Sequence, residues 1–419
     1  MRDTTKRTPR ELADYIANRI NLRNLDSSRP VLQYMADRGR ASLSQIASDL
    51  RVSRGTCNLH LQRLEHDQYI RRFESKRSGA GRPTVIWGWD EPANLTLSLV
   101  FDVPFLHASV ADFGLNPILR EVRDLSGIDS RKDLSRVIHS FALRAHEMAL
   151  SRGAKLRQAM VYLPGLLDHQ TGVVRKAANF PLLEGMEFGR VISEAAHVPC
   201  QSAPLGLAFY FGESESLPAE INAMVIYWDL GVGVMFGHGG SISPFGVNRK
   251  DGDPTLPELG HLRIEKNGKL CHCGQRGCLE AYTGGAALMD ALRRKSPKRL
   301  ADFIRLVQHG DADAVRLSQE AAEQLGRSLA WSAQVMQTGR IRVCGPMAPV
   351  FEVVSDHFRR GLATLLTEQE IARLDPAASP ALEERFLRGA HRLARRLFTH
   401  PDEYGLLLRT PASLDGNGE

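Results

Sequence analysis

Cys271, Cys273 and Cys278 restrict this chain more than any other feature. They follow one another as C-x-C-x4-C within HLRIEKNGKLCHCGQRGCLEAY, and Gly274 and Gly277 let the backbone between them wrap an ion. Six cysteines in 419 residues are too few for a disulfide scaffold, so the run reads as a metal site in a reducing compartment. Tetrahedral zinc takes four ligands, and the fourth must come from a nearby side chain. His261 and His272 are the candidates. His272 sits between two ligands and is expected to point away, whereas His261, upstream, can return on a loop. Four protein ligands leave no open coordination position, so the zinc would be structural. The competing reading is three reduced cysteines in a glycine-rich turn without metal.

Charge divides the chain. It carries 54 Lys and Arg against 48 Asp and Glu, a formal net charge of +6. Residues 1–90 hold 17 bases and 10 acids, and the remainder holds 37 and 38. The surplus therefore sits at the N-terminus, as in a basic module joined to a near-neutral body. With 43% hydrophobic residues the chain can bury a large core, and its length suggests about two or three domains. No run approaches the roughly 18 apolar residues needed to span a bilayer. The opening MRDTTKRTPREL has no apolar signal region, so the expected location is the cytoplasm, with no membrane partner.

The basic module has a local pattern. Val31, Leu32 and Met35 have helical spacing. In ASLSQIASDLRVSRGTCNLHLQRLEHDQYI, Ser44 is placed as an N-cap, Ile46, Ala47 and Leu50 share an apolar face, and Arg51-Val52 is the turn. Ser53 caps the next helix, with Cys57, Leu61 and Leu64 inward. Two short helices joined by a tight turn predict a helix-turn-helix. Tyr69-Ile70 and TVIWGW bracket a basic, glycine-rich turn and predict a wing. The implied partner is double-stranded DNA, with the second helix in the major groove. Ser53, Arg54, Thr56, Asn58 and Arg63 are the candidate contacts there, beside Gly55, Leu59 and Gln62 on the outward face. Arg72, Lys76, Arg77 and Arg82 are candidates for neutralising phosphates or entering a minor groove. A winged helix used for protein contact, or a solvated charged hairpin, is the competing reading.

Beyond Trp89 strands and helices mix. LTLSLVFDV, LHASVAD, LRQAMVYL, residues 223–236 and IRVCGPM read as strands. Ser130–Arg152, EFGRVISEAAHVP, Leu317–Gln337 and Ala381–Thr399 have helical periodicity. This is an α/β body long enough for two lobes.

The chain resembles the ROK family, which contains repressors and sugar kinases. The likeness is carried by Glu258-Leu259-Gly260-His261 followed by CHCGQRGCLE. It extends to LPGLLDHQTGVV (163–174), ANF (178–180), VCGPM (343–347) and a winged helix with a Gly-Arg-Pro linker. The resemblance implies an N-terminal winged helix-turn-helix, residues 1–90, and an actin/hexokinase-like body, residues 91–419. The lobes would be about 91–220 with the C-terminal helix, and 221–380. It further implies that His261, Cys271, Cys273 and Cys278 bind structural zinc, that Glu258, His261 and Glu280 face a sugar, and that Asn179 lies in a sugar-side segment.

The sequence departs from the family's kinases at three places. Asp102-Val103-Pro104-Phe105-Leu106 stands where they have Asp-x-Gly-Gly-Thr, and Pro104 removes a backbone donor. Gln201-Ser202 stands for an Asn-Asp pair whose Asp is the general base; Gln201 can replace one sugar hydrogen bond, but Ser202 is no base near neutral pH. YWDLGVG keeps only Gly231 and Gly233 of a second phosphate loop. The expectation is therefore a DNA-binding regulator of carbohydrate-related genes, a repressor and not an enzyme. It would act as a homodimer or homotetramer whose sugar or sugar-derivative effector closes the two lobes. Two alternatives stand beside it: an active sugar kinase, and a regulator that no longer binds sugar and is controlled by a protein partner.

Overall fold

A computed structural model of the chain describes residues 25–74, 84–168, 171–177, 180–218, 220–238, 241–242, 259–292, 297–379 and 383–401. They divide into two compact units, the described residues of 1–204 with those of 391–419, and those of 205–390. Among the described residues no helix is long and apolar enough to cross a membrane.

The first unit begins with α1 (Arg29–Arg38), β1 (Ala41–Ser42), α2 (Leu43–Asp49), α3 (Arg54–His66), β2 (Ile70–Glu74) and β3 (Val85–Trp89). Leu32, Ile46, Cys57, Leu61 and Leu64 form its core at 0–1% exposure. Fully burying each leucine or isoleucine contributes about 1.5–3 kcal/mol. Ser53 caps α3 as expected, its Oγ accepting from the Thr56 amide at 3.0 Å. The cap of α2 is Ser42 rather than Ser44. Gln45 stands three residues after Ser42, so its side chain can accept from the Ser42 amide while the Ser42 hydroxyl accepts from the Gln45 amide. Earlier capping also frees Ala41 and Ser42 to pair with Trp87 and Ile86, so the wing sheet has three strands in the order β1-β3-β2.

The same unit holds β4 (Asn94–Asp102), β5 (Phe105–Asp112), β6 (Pro117–Asp124), α4 (Arg131–Ser151), β7 (Lys155–Leu163), β8 (Leu166–Leu167), β9 (Val174–Lys176), α5 (Phe188–Ala196) and β10 (Cys200–Pro204). The five-stranded sheet has the order β10-β7-β4-β5-β6, with β4-β5 and β5-β6 antiparallel and β4-β7 and β7-β10 parallel. Strand β4 alternates by face. Leu95, Leu97, Leu99 and Phe101 join the core with α4 and α5. Thr96 and Ser98 face the other way and meet the Nδ1 of His391, at 2.8 and 3.3 Å, while Ser109 Oγ lies 3.0 Å from its Nε2.

Two side chains of this sheet hold the segment leaving α3. Asn94 Nδ2 donates to the carbonyls of Gln68, Tyr69 and Asp90. Arg157, on β7, donates to Asn94 Oδ1 and to the Asp67 carbonyl, with its guanidinium 3.8 Å from the centre of the Tyr69 ring. Phe398 adds ring contacts to Tyr69 and Phe113.

The second unit contains α6 (Leu205–Ser214), β11 (Asn222–Trp228), β12 (Val232–His238), β13 (Ser241–Ile242), α7 (Glu280–Thr283), α8 (Gly285–Ala291), α9 (Leu300–Gln308), α10 (Ala312–Val335), β14 (Thr338–Cys344), α11 (Ala348–Leu362), α12 (Glu368–Leu374) and β15 (Ala377–Ala378). Its sheet runs β13-β12-β11-β14-β15, again with the first hairpins antiparallel and the last two pairings parallel. The last helix, α13 (Glu383–Thr399), contributes its residues up to 390 to this unit and the rest to the first.

Candidate metal centre and nucleic-acid interface

Short backbone links build the cysteine cluster. The amide of Cys271 donates to Gln275 O, that of Gly274 to Cys271 O, and that of Gly277 to Lys269 O. At Gly277, with φ +80°, a Cβ would stand 1.6 Å from Glu265 O, so only glycine fits where the loop crosses itself. His261 ends a short 3-10 turn, Leu259–His261. Its Nδ1 lies 3.6 Å from Cys271 Sγ, and the sulfurs of Cys273 and Cys278 are 3.7 Å apart. All four ligand atoms fall within 4.8 Å of one another. A tetrahedral zinc with bonds of about 2.3 Å to sulfur sets its sulfurs about 3.8 Å apart, so the four residues fit that ion. His272 is exposed and outside the group, as expected of a residue flanked by two ligands. Burial pushes the Cys271 thiol up to about 12 and raises that of Cys278. A bound dication reverses that, because a ligating thiol is deprotonated outright.

The outward face of α3 carries Arg54, Gly55, Thr56, Leu59, Gln62 and Arg63, all exposed, with Asn58 half-buried. Leu59 is 68% exposed. Ser53 and Thr56 share a hydrogen bond of 2.9 Å between hydroxyls, so both first serve to start the helix. Arg72 pairs with Glu65 at 2.7 Å and lies 4.9 Å from the Trp87 ring, which points it along the wing beside α3. Lys76, Arg77 and Arg82 lie outside the described residues. The sequence reading missed Arg40, whose guanidinium stacks 3.6 Å from the Phe73 ring on the wing strand β2. Lone bases carry no local signal until the sheet pairs them with a ring.

Of the sugar candidates, Gln201 lies on β10 in register with Met160, and its Oε1 is buried without a hydrogen-bond partner among the described residues. It belongs to the first unit; His261 and Glu280 belong to the second. Glu280 opens α7, and its Oε2 accepts from the Val232 amide at 3.0 Å. Gly231 permits that approach, since a Cβ there would stand 2.3 Å from the same oxygen. Asn179 and Glu258 lie outside the described residues.

A model described as winged helix-turn-helix DNA-binding matches residues 26–71, and the ROK family model matches residues 125–397. The chain belongs to the ROK family. Its relatives include the DNA-binding transcriptional repressor Mlc of Escherichia coli, 24% identical over 70% of this chain and 74% of that protein, and the xylose repressor of Bacillus subtilis, 24% identical over 69% and 73%. A glucokinase of Thermotoga maritima is 24% identical over 65% of this ROK chain and 89% of its own length. Among solved structures, a ROK family transcriptional regulator described as a homologue of E. coli Mlc superposes with a TM-score of 0.71 at 18% identity, covering 92% of this chain and 98% of that one. The winged helix joined to the ROK body makes this chain a DNA-binding transcriptional regulator.

Proposed function

We propose that this ROK regulator is a repressor of carbohydrate-related genes, in which residues 1–90 read operator DNA and residues 91–419 sense a sugar or sugar derivative. Arg54, Thr56, Asn58 and Arg63 contact bases or flanking phosphates, Ser53 sets the helix start, and Arg72, Lys76, Arg77 and Arg82 serve the backbone or a groove edge. The working form is a homodimer or homotetramer, because a helix-turn-helix commonly reads two half-sites. His261, Cys271, Cys273 and Cys278 hold zinc, which supplies rigidity to the loop. Asn179, Gln201, Glu258, His261 and Glu280 are assigned to the effector.

One observation carries the sensing half. The Oε1 of Gln201 is buried without a donor among the described residues, which costs stability, and a sugar hydroxyl supplies the missing donor. Thermal denaturation with glucose, xylose and N-acetylglucosamine tests it. A ligand at 100 times its Kd stabilises the native state by about 2.7 kcal/mol. An effector should raise the melting temperature of the wild type and not of Q201L, and should release DNA. If no sugar shifts the wild type, sensing is lost and control passes to a protein partner.

The glucokinase relative favours the second reading, an active sugar kinase. Two features support the non-enzymatic one. Pro104 offers no amide at the β4-β5 turn, and the Val232 amide after the β11-β12 turn already donates to Glu280, an acid where a phosphate would need donors. ATP-dependent phosphorylation of the same sugars would overturn it.

A further inference from the structure

We propose that Arg157 is a positioning residue for DNA recognition, a body side chain that fixes the direction in which α3 presents its outward face. It rests on the assignment of α3 as the recognition helix. Arg157 lies on β7, is 5% exposed, and directs its side-chain hydrogen bonds to Asn94 and to the Asp67 carbonyl rather than to the outward face of α3. Its Nη2 donates to the Asp67 carbonyl at 2.8 Å and its Nε to Asn94 Oδ1 at 2.6 Å.

Asp67 is the C-cap of α3. The last carbonyls of a helix carry partial negative charge, so a cation there is favourable, and this one comes from another part of the fold. The Asn94 that Arg157 orients donates to the next two carbonyls, Gln68 and Tyr69, at 2.9 and 3.2 Å. Three consecutive carbonyls at the exit of α3 are thus held from the central sheet. The guanidinium also stacks on Tyr69. A lysine cannot reproduce this set, since it lacks the planar fork that meets two acceptors while covering a ring.

The internal core of the winged helix does not need Arg157, because Leu32, Ile46, Cys57, Leu61 and Leu64 pack on one another. What Arg157 adds, beside the Phe398 ring against Tyr69, is the angle of α3 to β7. Strand β7 is also the neighbour of β10, where Gln201 pairs with Met160, three residues from Arg157. The central sheet therefore links an effector candidate to the end of the reading helix.

The test uses the full chain and two probes: a duplex enriched by the wild type from a random-sequence library, and a scrambled duplex of the same composition. R157M should bind the enriched duplex about 10- to 100-fold more weakly and the scrambled one as the wild type does. Its salt dependence should be unchanged, because no phosphate contact is removed. R157K should recover only part of the loss. R157M within twofold of wild type on the enriched duplex overturns the proposal, as does an equal loss on both probes with a shallower salt slope. A variant that melts lower yet discriminates like the wild type makes Arg157 purely structural and overturns it as well. Should R157M not hold its fold, R157K decides: full discrimination there overturns the proposal. R54A and R63A separate the two assignments. If they lose discrimination and the Arg157 variants keep it, only the present inference falls; if the wild type enriches no duplex, the reading of α3 falls with it.

Discussion

The two five-stranded sheets have the same strand order and the same sense of pairing, yet they are specialised differently. In each, the second strand turns back after an aspartate, Asp102 in one and Asp229 in the other. The first turn continues through Pro104, whose carbonyl accepts from the Leu125 amide. The second continues through Gly231, against which the Glu280 carboxylate rests. The first sheet is finished by a histidine from the last helix and carries the DNA reader. The second carries the cysteine loop. One topology therefore serves two ends, and the residues at turns and edges decide which.

Removal of metal should separate the sheets most sharply. C273S should take metal content from about one ion per chain to none and lower the melting of the second unit by about 10 °C or more, since each kcal/mol moves a unit of this size by about 2–4 °C. Calorimetry with metal analysis reads both. A first-unit transition that moves equally would break the comparison, and retained metal would refute the ligand set. Next comes L61A, in the winged-helix core. A cavity there costs about 2–5 kcal/mol and should weaken DNA binding while leaving metal content intact; chemical denaturation measures it.

A buried histidine should give the first sheet a pH effect of its own. Burial lowers the His391 pKa from 6.5 to about 3. Between those values the unfolded chain binds the proton and the folded one resists it, so this contribution is complete above pH 6.5 and drains as pH falls toward 3. The slope is at most about 1.4 kcal/mol per pH unit. H391Q should flatten the fall in stability between pH 6 and pH 4 relative to wild type, and parallel curves would refute the assignment. The smallest effect is expected for G231A. Its methyl displaces Glu280 Oε2 and breaks the bond to Val232, worth about 1 kcal/mol. A shift in the second unit's melting tests it, and no shift would mean that the carboxylate moves freely.

Much of this was legible in the sequence because the relevant signals are local. Leu61 and Leu64 lie one turn apart, Ser53 precedes its helix, and three cysteines lie in one loop. The cap of α2 was misplaced by two residues because Ser42 and Ser44 look alike until Gln45 selects between them. Strand β6, PILREVRD, escaped notice because as an edge strand it is mostly exposed and charged. Every residue of helix α6 but Gly206 is buried, so LGLAFYFGES has no polar face to give it a period. The joint at Arg157 could not be read at all. Its partners, Asn94, Asp67 and Tyr69, lie 63 to 90 positions away and meet it only through tertiary pairing.

Asn94 holds three carbonyls with one amide nitrogen. Aspartate has the same outline, but oxygen in place of that nitrogen offers no hydrogen and repels each carbonyl it faces. Hydrolysis of a single side-chain amide would thus turn attraction into repulsion at the exit of α3 without altering the volume of the site.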